Sequence, residues 1–549
     1  MTQPLTRSAT PWLFGPVRDL AFGCGLAYAA VFAALALFGD AVRTALPLGL
    51  AILPVTFLSV PHYGATLLRA YGRAEDRARY RFFTIWTTAA LALLFAWGLR
   101  DVAAGSWLAT VYLTWSPWHY AGQNFGVGLM FLRRRGVEVT PAVRRLLWWS
   151  FALSYGLVFL ALHAETGAAY APADFEGTVL RFRPIGIPAA IGRPALVAAA
   201  AACAGVTAAA FLLLARRARW RDLVPSAALV LTQALWFSLP TLARAAGLFE
   251  GVDPLSAGNS HYVFLWIATS HAAQYLWITS YYAGSSGGMR RQAGFLGKCL
   301  LAGAAVWTVP AVVFAPAALG RLPYDAGLAL LVSSIVNLHH FVLDGAIWKL
   351  RDGRIARILL GGSDAAAGEA PARPWLRRTA VAAGAACLAV MLFAGLETEL
   401  GFNAAIERRD VAAAGASMRR LAWIGRDGSE MHLRIANAAA DLGDDSAAQR
   451  HYEDSIRLLP TAWAWTGLGR IHAQHGLWRR AQSAFDEALL LEPDHAVALL
   501  YAGVVAFRTG RDADGRERLL HARATAQRPE VIAEIEEVMR EHGVAPAPR

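Results

Sequence analysis

Charged residues and cysteines are scarce in this 549-residue sequence. Asp, Glu, Lys and Arg together make up 17% of it, whereas hydrophobic residues make up 56%. Soluble proteins carry about 25% charged residues, so this composition indicates a chain that is largely embedded in a membrane. The few cysteines show no paired spacing, which gives no indication of a disulfide framework or a thiolate metal site. They lie in or beside apolar stretches, at Cys24, Cys203, Cys299 and Cys387.

Long apolar stretches dominate the first 400 residues. Eleven of them are long enough to cross a bilayer as helices of about 20 residues. The N-terminal residues lack an apolar stretch followed by a small-residue cleavage site, so the first span is expected to be an uncleaved anchor. The sequence therefore predicts an all-α, polytopic membrane domain over residues 1–400. The approximate spans are 19–39, 45–68, 81–99, 105–131, 146–164, 194–215, 223–247, 259–283, 297–317, 325–348 and 379–397.

The basic residues are distributed unevenly between the loops. A net charge of +12 is compatible with a nucleic-acid partner, but 26 Lys and Arg residues fall on one side of the predicted spans and seven on the other. Cytoplasmic loops carry such an excess, so the charge reports orientation and no nucleic-acid partner is expected. The N-terminus is predicted to be cytoplasmic. With an odd number of spans, the C-terminal part lies on the periplasmic side of an inner membrane.

Composition changes after about residue 400, where charged residues become frequent. The segment from Trp465 to Pro493 matches a tetratricopeptide repeat, and related glycines recur at spacings of 33 and 34 residues. The sequence predicts a soluble helical superhelix over 401–549, with repeats at about 429–461, 462–495 and 496–528. We expect it to bind a peptide or partner protein, or to serve as a spacer. Its histidines are expected to be ordinary repeat or surface positions: His432, His451, His472, His475 and His495.

Apart from His163, which is expected at the external interface near the end of its span, six histidines lie in or beside the predicted spans. An imidazole in hydrocarbon costs several kcal/mol unless something binds it, so their repeated placement predicts a metal or proton site. An isolated imidazole could instead form a hydrogen bond with a neighbouring helix. The bilayer histidines are His62, His119, His261, His271, His339 and His340, of which His261 is expected at the external interface.

Each candidate ligand has a polar residue one helical turn away. Positions i and i+4 share a face, which pairs His62 with Thr66, His119 with Gln123, His271 with Tyr275 and His340 with Asp344. A metal-bound imidazole usually donates its other N–H to an acceptor. Asp344 is the strongest candidate for that role, or for a direct ligand, and Gln123 and Tyr275 are further catalytic candidates. Nitrogen and carboxylate ligands without thiolates favour iron, zinc or copper over calcium.

These motifs resemble those of the bacterial Brp/Blh membrane family, the β-carotene 15,15'-dioxygenases, whose activity is cleavage of β-carotene to retinal by iron. The matching positions are Pro61-His62, His119-Tyr120, His271 and His339 with Asp344 five residues on. The resemblance implies an iron-binding core of histidines, with His339 as ligand, whereas helix geometry places His340 on the face of Asp344. The chain departs from the family at Thr66 and Asn124, where the family has acids, and at the third motif, which lacks its second histidine.

Three hypotheses follow from the sequence. The first is a metal-dependent membrane enzyme, with Fe(II) as the first candidate, acting on a hydrophobic substrate from the bilayer. His62, His119, His271 and either His339 or His340 would hold the metal. The second is a transporter in which these residues bind a metal or relay protons, although no internal repeat of spans is evident. The third is a membrane-anchored assembly factor that acts through its repeats.

Overall fold

A computed structural model describes residues 11–45, 52–72, 74–165, 178–247, 260–284, 288–316, 318–320, 322–348, 358–360, 374–526 and 528–545. They form two compact units. One draws on Met1–Phe175, Leu180–Pro310 and Leu330–Leu392, and the other on Glu176–Val179, Ala311–Ala329 and Phe393–Arg549. The prediction of an all-α chain is confirmed for the described residues, whose only β-type pairing is an isolated bridge between Ala164 and Ile187.

The first unit is built from long apolar helices. Their bounds are α1 Pro16–Arg18, α2 Leu26–Ala45, α3 Ile52–Pro54, α4 Val60–Tyr71, α5 Ala74–Arg79, α6 Thr88–Gly98, α7 Val102–Arg134, α8 Pro141–Leu162, α9 Ala189–Ala215, α10 Trp220–Gln233, α11 Leu239–Ala245, α12 Ser260–Gly284, α13 Gly288–Val313, α14 Ala329–Ile347 and α15 Pro374–Leu396. Short π-helical stretches lead directly into several of them, at Asp19–Gly23, Val55–Ser59, Phe82–Thr87, Ala234–Ser238 and Tyr324–Leu328, and another, Glu397–Asn403, follows α15.

Among the described residues, six helical segments are long and apolar enough to cross a membrane, or seven if the bent pair Pro16–Gly23 and Leu26–Gly39 forms one span. This is fewer than the eleven predicted spans. Helices α7 and α12 are long enough, at 33 and 25 residues, but are not among the six. Both carry histidine and amide side chains in their central turns, and these lower the average apolar character on which such a test depends.

Helices α4 and α13 touch backbone to backbone. A Cβ atom on Gly64 of α4 would overlap the carbonyl oxygen of Cys299, and one on Gly303 of α13 would overlap that of Val60. Small residues allow this close approach between apolar helices, where dispersion contacts and not the hydrophobic effect hold the helices together. The contact fixes the position of α4 two residues away from His62.

The second unit contains three consecutive helix pairs that confirm the prediction of helical repeats. Their first helices begin at Ser429, Ala462 and Ala496, 33 and 34 residues apart. The helices of this unit are α16 Ala404–Glu407, α17 Val411–Ala422, α18 Ser429–Asp441, α19 Asp445–Leu458, α20 Ala462–Gln474, α21 Trp478–Leu491, α22 Ala496–Arg508, α23 Asp512–Thr525 and α24 Pro529–Glu541.

Glycines end the first helix of each repeat in the left-handed region. Gly443, Gly476 and Gly510 have φ angles of 77°, 70° and 74°, which cost other residues about 1–2 kcal/mol. Within the second repeat, between its two helices, the fully buried ring of Phe485 lies where a side chain on Gly469 would otherwise sit. The recurring sequence pattern therefore has a direct cause in turn geometry and ring packing.

Helix α18 is capped from a distant part of the same unit. Its N-cap residue, Gly428, has no side chain, and the backbone N–H of Glu430 donates instead to Oδ2 of Asp325 at 3.2 Å. A carboxylate at this position satisfies a free N–H group and favours the positive end of the helix dipole. This cap ties the segment around Asp325 to the repeats.

His495 gives the repeats a defined sensitivity to acid. Its Nδ1 accepts the backbone N–H of Ala498 at 3.1 Å as the N-cap of α22, and burial together with the charge of Arg528 lowers its pKa to about 4. The unfolded chain binds this proton near pH 6.5, so the contribution of His495 to stability is complete above pH 6.5 and is lost as pH falls towards 4.

We therefore expect the unfolding free energy of the repeats to fall by about 2 kcal/mol between pH 7 and pH 4 because of this residue alone. His495→Ser keeps an oxygen acceptor at the cap and removes the titrating group. Hydrogen exchange at α22, followed across that pH range in the full chain, should show a smaller loss of protection in the variant. An equal loss in both proteins would contradict this assignment.

Candidate metal centre

Four imidazole rings from four distant segments meet inside the first unit. His62 of α4, His119 of α7, His271 of α12 and His340 of α14 each offer one ring nitrogen, and these four atoms lie within 4.8 Å of one another. The ring of His62 has its centroid 5.0 Å from that of His271 and 4.2 Å from that of His340. The structure thus brings together four of the five histidines that the sequence singled out as ligands.

His339, the remaining candidate, lies outside this cluster. Its Nε2 is 2.9 Å from Oγ1 of Thr88 and 3.3 Å from the hydroxyl of Tyr71. Adjacent helical residues point about 100° apart, so only one of His339 and His340 can face the other three rings. Of the interfacial candidates, His163 contacts Thr114 at 3.0 Å, and the side chain of His261 lies outside the described residues.

The polar surroundings of His340 favour metal binding through Nε2. Its Nδ1 lies 2.8 Å from Oγ1 of Thr66, while its Nε2 lies 3.1 Å from Nε2 of His119. If Nδ1 carries the proton and donates it to Thr66, both Nε2 lone pairs point at a common centre. Oγ1 of Thr66 also lies 2.7 Å from the hydroxyl of Tyr275, which accepts from Nε1 of Trp348 at 3.1 Å.

The other two rings have ring nitrogens without hydrogen-bond partners. Nε2 of His62 and both ring nitrogens of His271 are buried and have no partner among the described residues. Only 3% of His62 and 1% of His271 is exposed. Leaving such a group unpaired costs about 1–3 kcal/mol, so these nitrogens are the strongest observation in favour of a bound ion.

Aromatic rings hold two of the histidines in place. The ring of Tyr120 stacks on that of His271 at 3.9 Å, and the ring of Phe341 stacks on that of His119 at 4.5 Å. Each aromatic residue directly follows a histidine of the cluster in sequence, His119 and His340 respectively. This role was not predicted from the sequence, although a histidine followed directly by an aromatic residue at both positions is a signal that could have indicated it.

All four predicted pairings need correction because the polar contacts run between helices. Thr66 contacts Nδ1 of His340 and the hydroxyl of Tyr275 instead of the ring of His62. Asp344 does not pair with His340; its Oδ2 lies 3.9 Å from Nε2 of His119, beyond hydrogen-bonding distance. The amide nitrogen of Gln123 donates to Oε1 of Gln274 at 2.6 Å and so does not orient His119. Tyr275 contacts Thr66 across helices and lies with its ring 4.7 Å from that of His62.

A cavity of about 320 Å³ opens beside the cluster. Aromatic and aliphatic side chains form most of its wall, and His119, Gln123, Tyr275 and Asp344 supply its polar groups. Gly122, Gly126 and Gly345 line it as well, and nothing described lies within 4 Å of the position of a Cβ atom on any of them. These glycines therefore widen the cavity. Apolar walls with a few polar groups are typical of sites for hydrophobic small molecules.

The four imidazoles fit a divalent transition metal. Ligands bound about 2.0–2.1 Å from such an ion lie about 3–4 Å from one another, and the four donor atoms need only small shifts to reach that range. Neutral imidazole suits iron, zinc and copper. Because three buried nitrogens lack partners and two Nε2 atoms lie 3.1 Å apart, the described residues fit the metal that the resemblance implies.

Comparison with known proteins gives only a partial likeness. No protein-family model matches the chain, and no curated protein matches it. Among solved structures, the chain is similar to YrrB, a TPR protein with an unusual peptide-binding site, at 17% identity over 30% of this chain and 83% of that one, with a TM-score of 0.23. It is also similar to MamA, at 16% identity over 32% of this chain and 93% of that one, with a TM-score of 0.21.

Proposed function

We propose that the chain is an integral membrane, metal-dependent enzyme that acts by oxygenase-type chemistry on a hydrophobic, membrane-soluble substrate. Iron is the first candidate for the metal, and zinc and copper are compatible with the same ligands. The observation that carries the proposal is the set of four convergent imidazoles, with unpartnered buried nitrogens, beside an apolar cavity. When bound, ferrous iron would supply the capacity to activate oxygen.

The residues of the chain divide the remaining tasks. His62, His119, His271 and His340 hold the metal, and Thr66 accepts the Nδ1 proton of His340 and so fixes its tautomer. The cavity wall binds the apolar substrate and excludes water. Asp344 and Tyr275 add a carboxylate and a hydroxyl to that wall, and Oδ2 of Asp344 lies 3.9 Å from Nε2 of His119. All these groups lie on helices, which keeps the site rigid.

We also propose that all eleven predicted spans cross the membrane. Their described residues lie mostly on helical segments. These segments include α4, the segment Phe82–Gly98, α7 and α12, which are not among the six apolar candidates. His340 lies within the candidate span Tyr324–Ile347, and its contacts draw α4, α7 and α12 to the same depth. Eleven spans with a cytoplasmic N-terminus place the repeats on the periplasmic side of the inner membrane.

The repeats are proposed to dock a peptide or a partner protein. Stacked helix pairs form extended surfaces that other helical-repeat proteins use for binding. Large apolar side chains remain exposed on this unit, including Trp423 at 90% and Leu490 at 78%. Exposed apolar groups of this size are common at protein interfaces. The docking proposal is independent of the metal centre.

Oxygen uptake by the iron-loaded, detergent-solubilised protein tests the proposed reaction. Apolar polyenes such as β-carotene are the first substrates to supply, because the resemblance implies them and the cavity wall is apolar. We expect uptake that requires both iron and polyene and yields an oxidised product. Uptake that is the same without added polyene would contradict the proposal.

Filling the cavity should block the substrate without removing the metal. Gly126→Leu places a side chain in open cavity space. A mismatch of one methylene group in an apolar pocket already changes turnover about tenfold, so we expect turnover of an apolar substrate to fall by at least about tenfold. Metal content should stay unchanged. Gly205→Leu on α9 is the matched control, because nothing described lies near its Cβ position and it does not line the cavity. Equal turnover in both variants would show that the cavity does not hold the substrate.

A further inference from the structure

The first repeat contains a second cluster of metal-ligating groups, formed by His432, His451 and Asp454. His432 lies on α18, and His451 and Asp454 lie three residues apart on one face of α19. Nδ1 of His432 is 3.1 Å from Nδ1 of His451 and 3.7 Å from Oδ2 of Asp454. The three donor atoms lie within 4.8 Å of one another.

These distances match the spacing of ligands around one ion. In a tetrahedral site with bonds of about 2.0–2.2 Å, ligand atoms lie about 3.3–3.5 Å apart, between the two observed distances. A hydrogen bond can join the two imidazoles, but 3.7 Å is too long to include the carboxylate. A central cation would engage all three groups at once.

Burial and contacts orient each group for metal binding. His432 is buried, with 8% of its surface exposed, and its Nδ1 faces both Nδ1 of His451 and Oδ2 of Asp454. Nη2 of Arg457 contacts Oδ1 of Asp454 at 2.5 Å and leaves Oδ2 directed at His432. The two oxygens of Asp454 thus serve different partners.

We propose that His432, His451 and Asp454 bind a divalent transition metal, with zinc as the first candidate. Two imidazoles and one carboxylate are a common ligand set for zinc and leave a fourth position for water or for a side chain of a docked protein. The ion would join α18 to α19 in the first repeat. The sequence shows no metal motif here because the three ligands come from two helices and the histidines match ordinary repeat positions.

Two other histidines of the repeats provide matched controls. His475 lies 2.9 Å from Asp445, and His521 lies 2.8 Å from Asp494. Each pair has one imidazole and one carboxylate at hydrogen-bonding distance, but neither belongs to a group of three ligands among the described residues. His521→Ala therefore removes a comparable imidazole–carboxylate contact without touching the proposed site.

The test is metal binding by the purified full chain, with Zn²⁺ for stoichiometry and Co²⁺ for its absorption spectrum. Every protein is also measured with His119→Ala added, so that metal binding in the repeats is separated from metal binding at the four convergent imidazoles of the first unit. We expect His451→Ala to bind one equivalent of Zn²⁺ less per chain than the parent and to lose a tetrahedral Co²⁺ band, whereas His521→Ala keeps both. Asp454→Asn should weaken metal binding at least tenfold. Because this variant preserves side-chain volume, its loss of binding cannot be attributed to a folding defect. Unchanged stoichiometry and spectrum in His451→Ala would overturn the proposal.

Discussion

Replacing His340 with alanine is expected to remove the metal from the proposed centre in the first unit, whereas replacing its neighbour His339 with alanine leaves the metal bound. Only His340 faces His62 and His119; the ring of His339 is turned towards Thr88 and Tyr71. Loss of a residue that only hydrogen-bonds to a ligand lowers metal affinity by about 10–100-fold. Loss of a direct ligand should therefore lower metal affinity by at least about 100-fold.

Metal content per chain after gel filtration measures this difference. The two variants differ by one position in the same helix and remove the same group, so general damage to α14 should affect both. Thr66→Val provides an intermediate case, because it removes the acceptor for Nδ1 of His340 but no ligand; we expect a loss of about 10–100-fold in affinity. Equal metal content in the His339 and His340 variants would refute the assignment of His340.

The second large effect is expected at Gly64, where a single methyl group should disturb both stability and metal binding. An alanine there would overlap the carbonyl oxygen of Cys299 and force α4 away from α13. Overpacking of this kind costs about 1–3 kcal/mol. Because His62 lies two residues before Gly64, the same shift should move its imidazole away from the other three.

Thiol labelling on heating can report this change, since Cys299 is fully buried in the native fold. We expect Gly64→Ala to label at a lower temperature than the parent and to hold its metal less tightly. Gly122→Ala is the matched control, because nothing described lies within 4 Å of that Cβ position. Parent-like labelling and metal affinity in the Gly64 variant would show that the two helices can separate without consequence.

Apolar runs and repeat glycines made much of the fold predictable from sequence. The described residues of the predicted spans lie mostly on helical segments, as expected because about 20 apolar residues in lipid have no other way to satisfy their backbone groups. Gly443, Gly476 and Gly510 marked the ends of repeat helices because their backbone needs positive φ. The number of membrane spans was less predictable from the sequence than the helices themselves. The helices with His119 and His271 are long enough to be spans, yet they are not among the six candidates that length and composition pick out from the described residues.

The site was predictable as a set of residues but not as a set of contacts. Helical spacing relates only residues one turn apart, which led to the pairing of His340 with Asp344. The actual neighbour of His340 is Thr66, 274 positions away. Likewise, Gly122 and Gly126 have a spacing typical of helix packing, yet the structure places both at a cavity wall. The choice of partner for a glycine or an imidazole depends on the packing of other helices.

The most direct test of the proposed metal centre is an X-ray crystal structure of protein purified without chelators, with anomalous scattering recorded at the iron, copper and zinc edges. We predict one strong peak at this centre, about 2.0–2.3 Å from nitrogens of His62, His119, His271 and His340. Four rings that hydrogen-bond to one another or to neighbouring helices, with no peak between them, would contradict it.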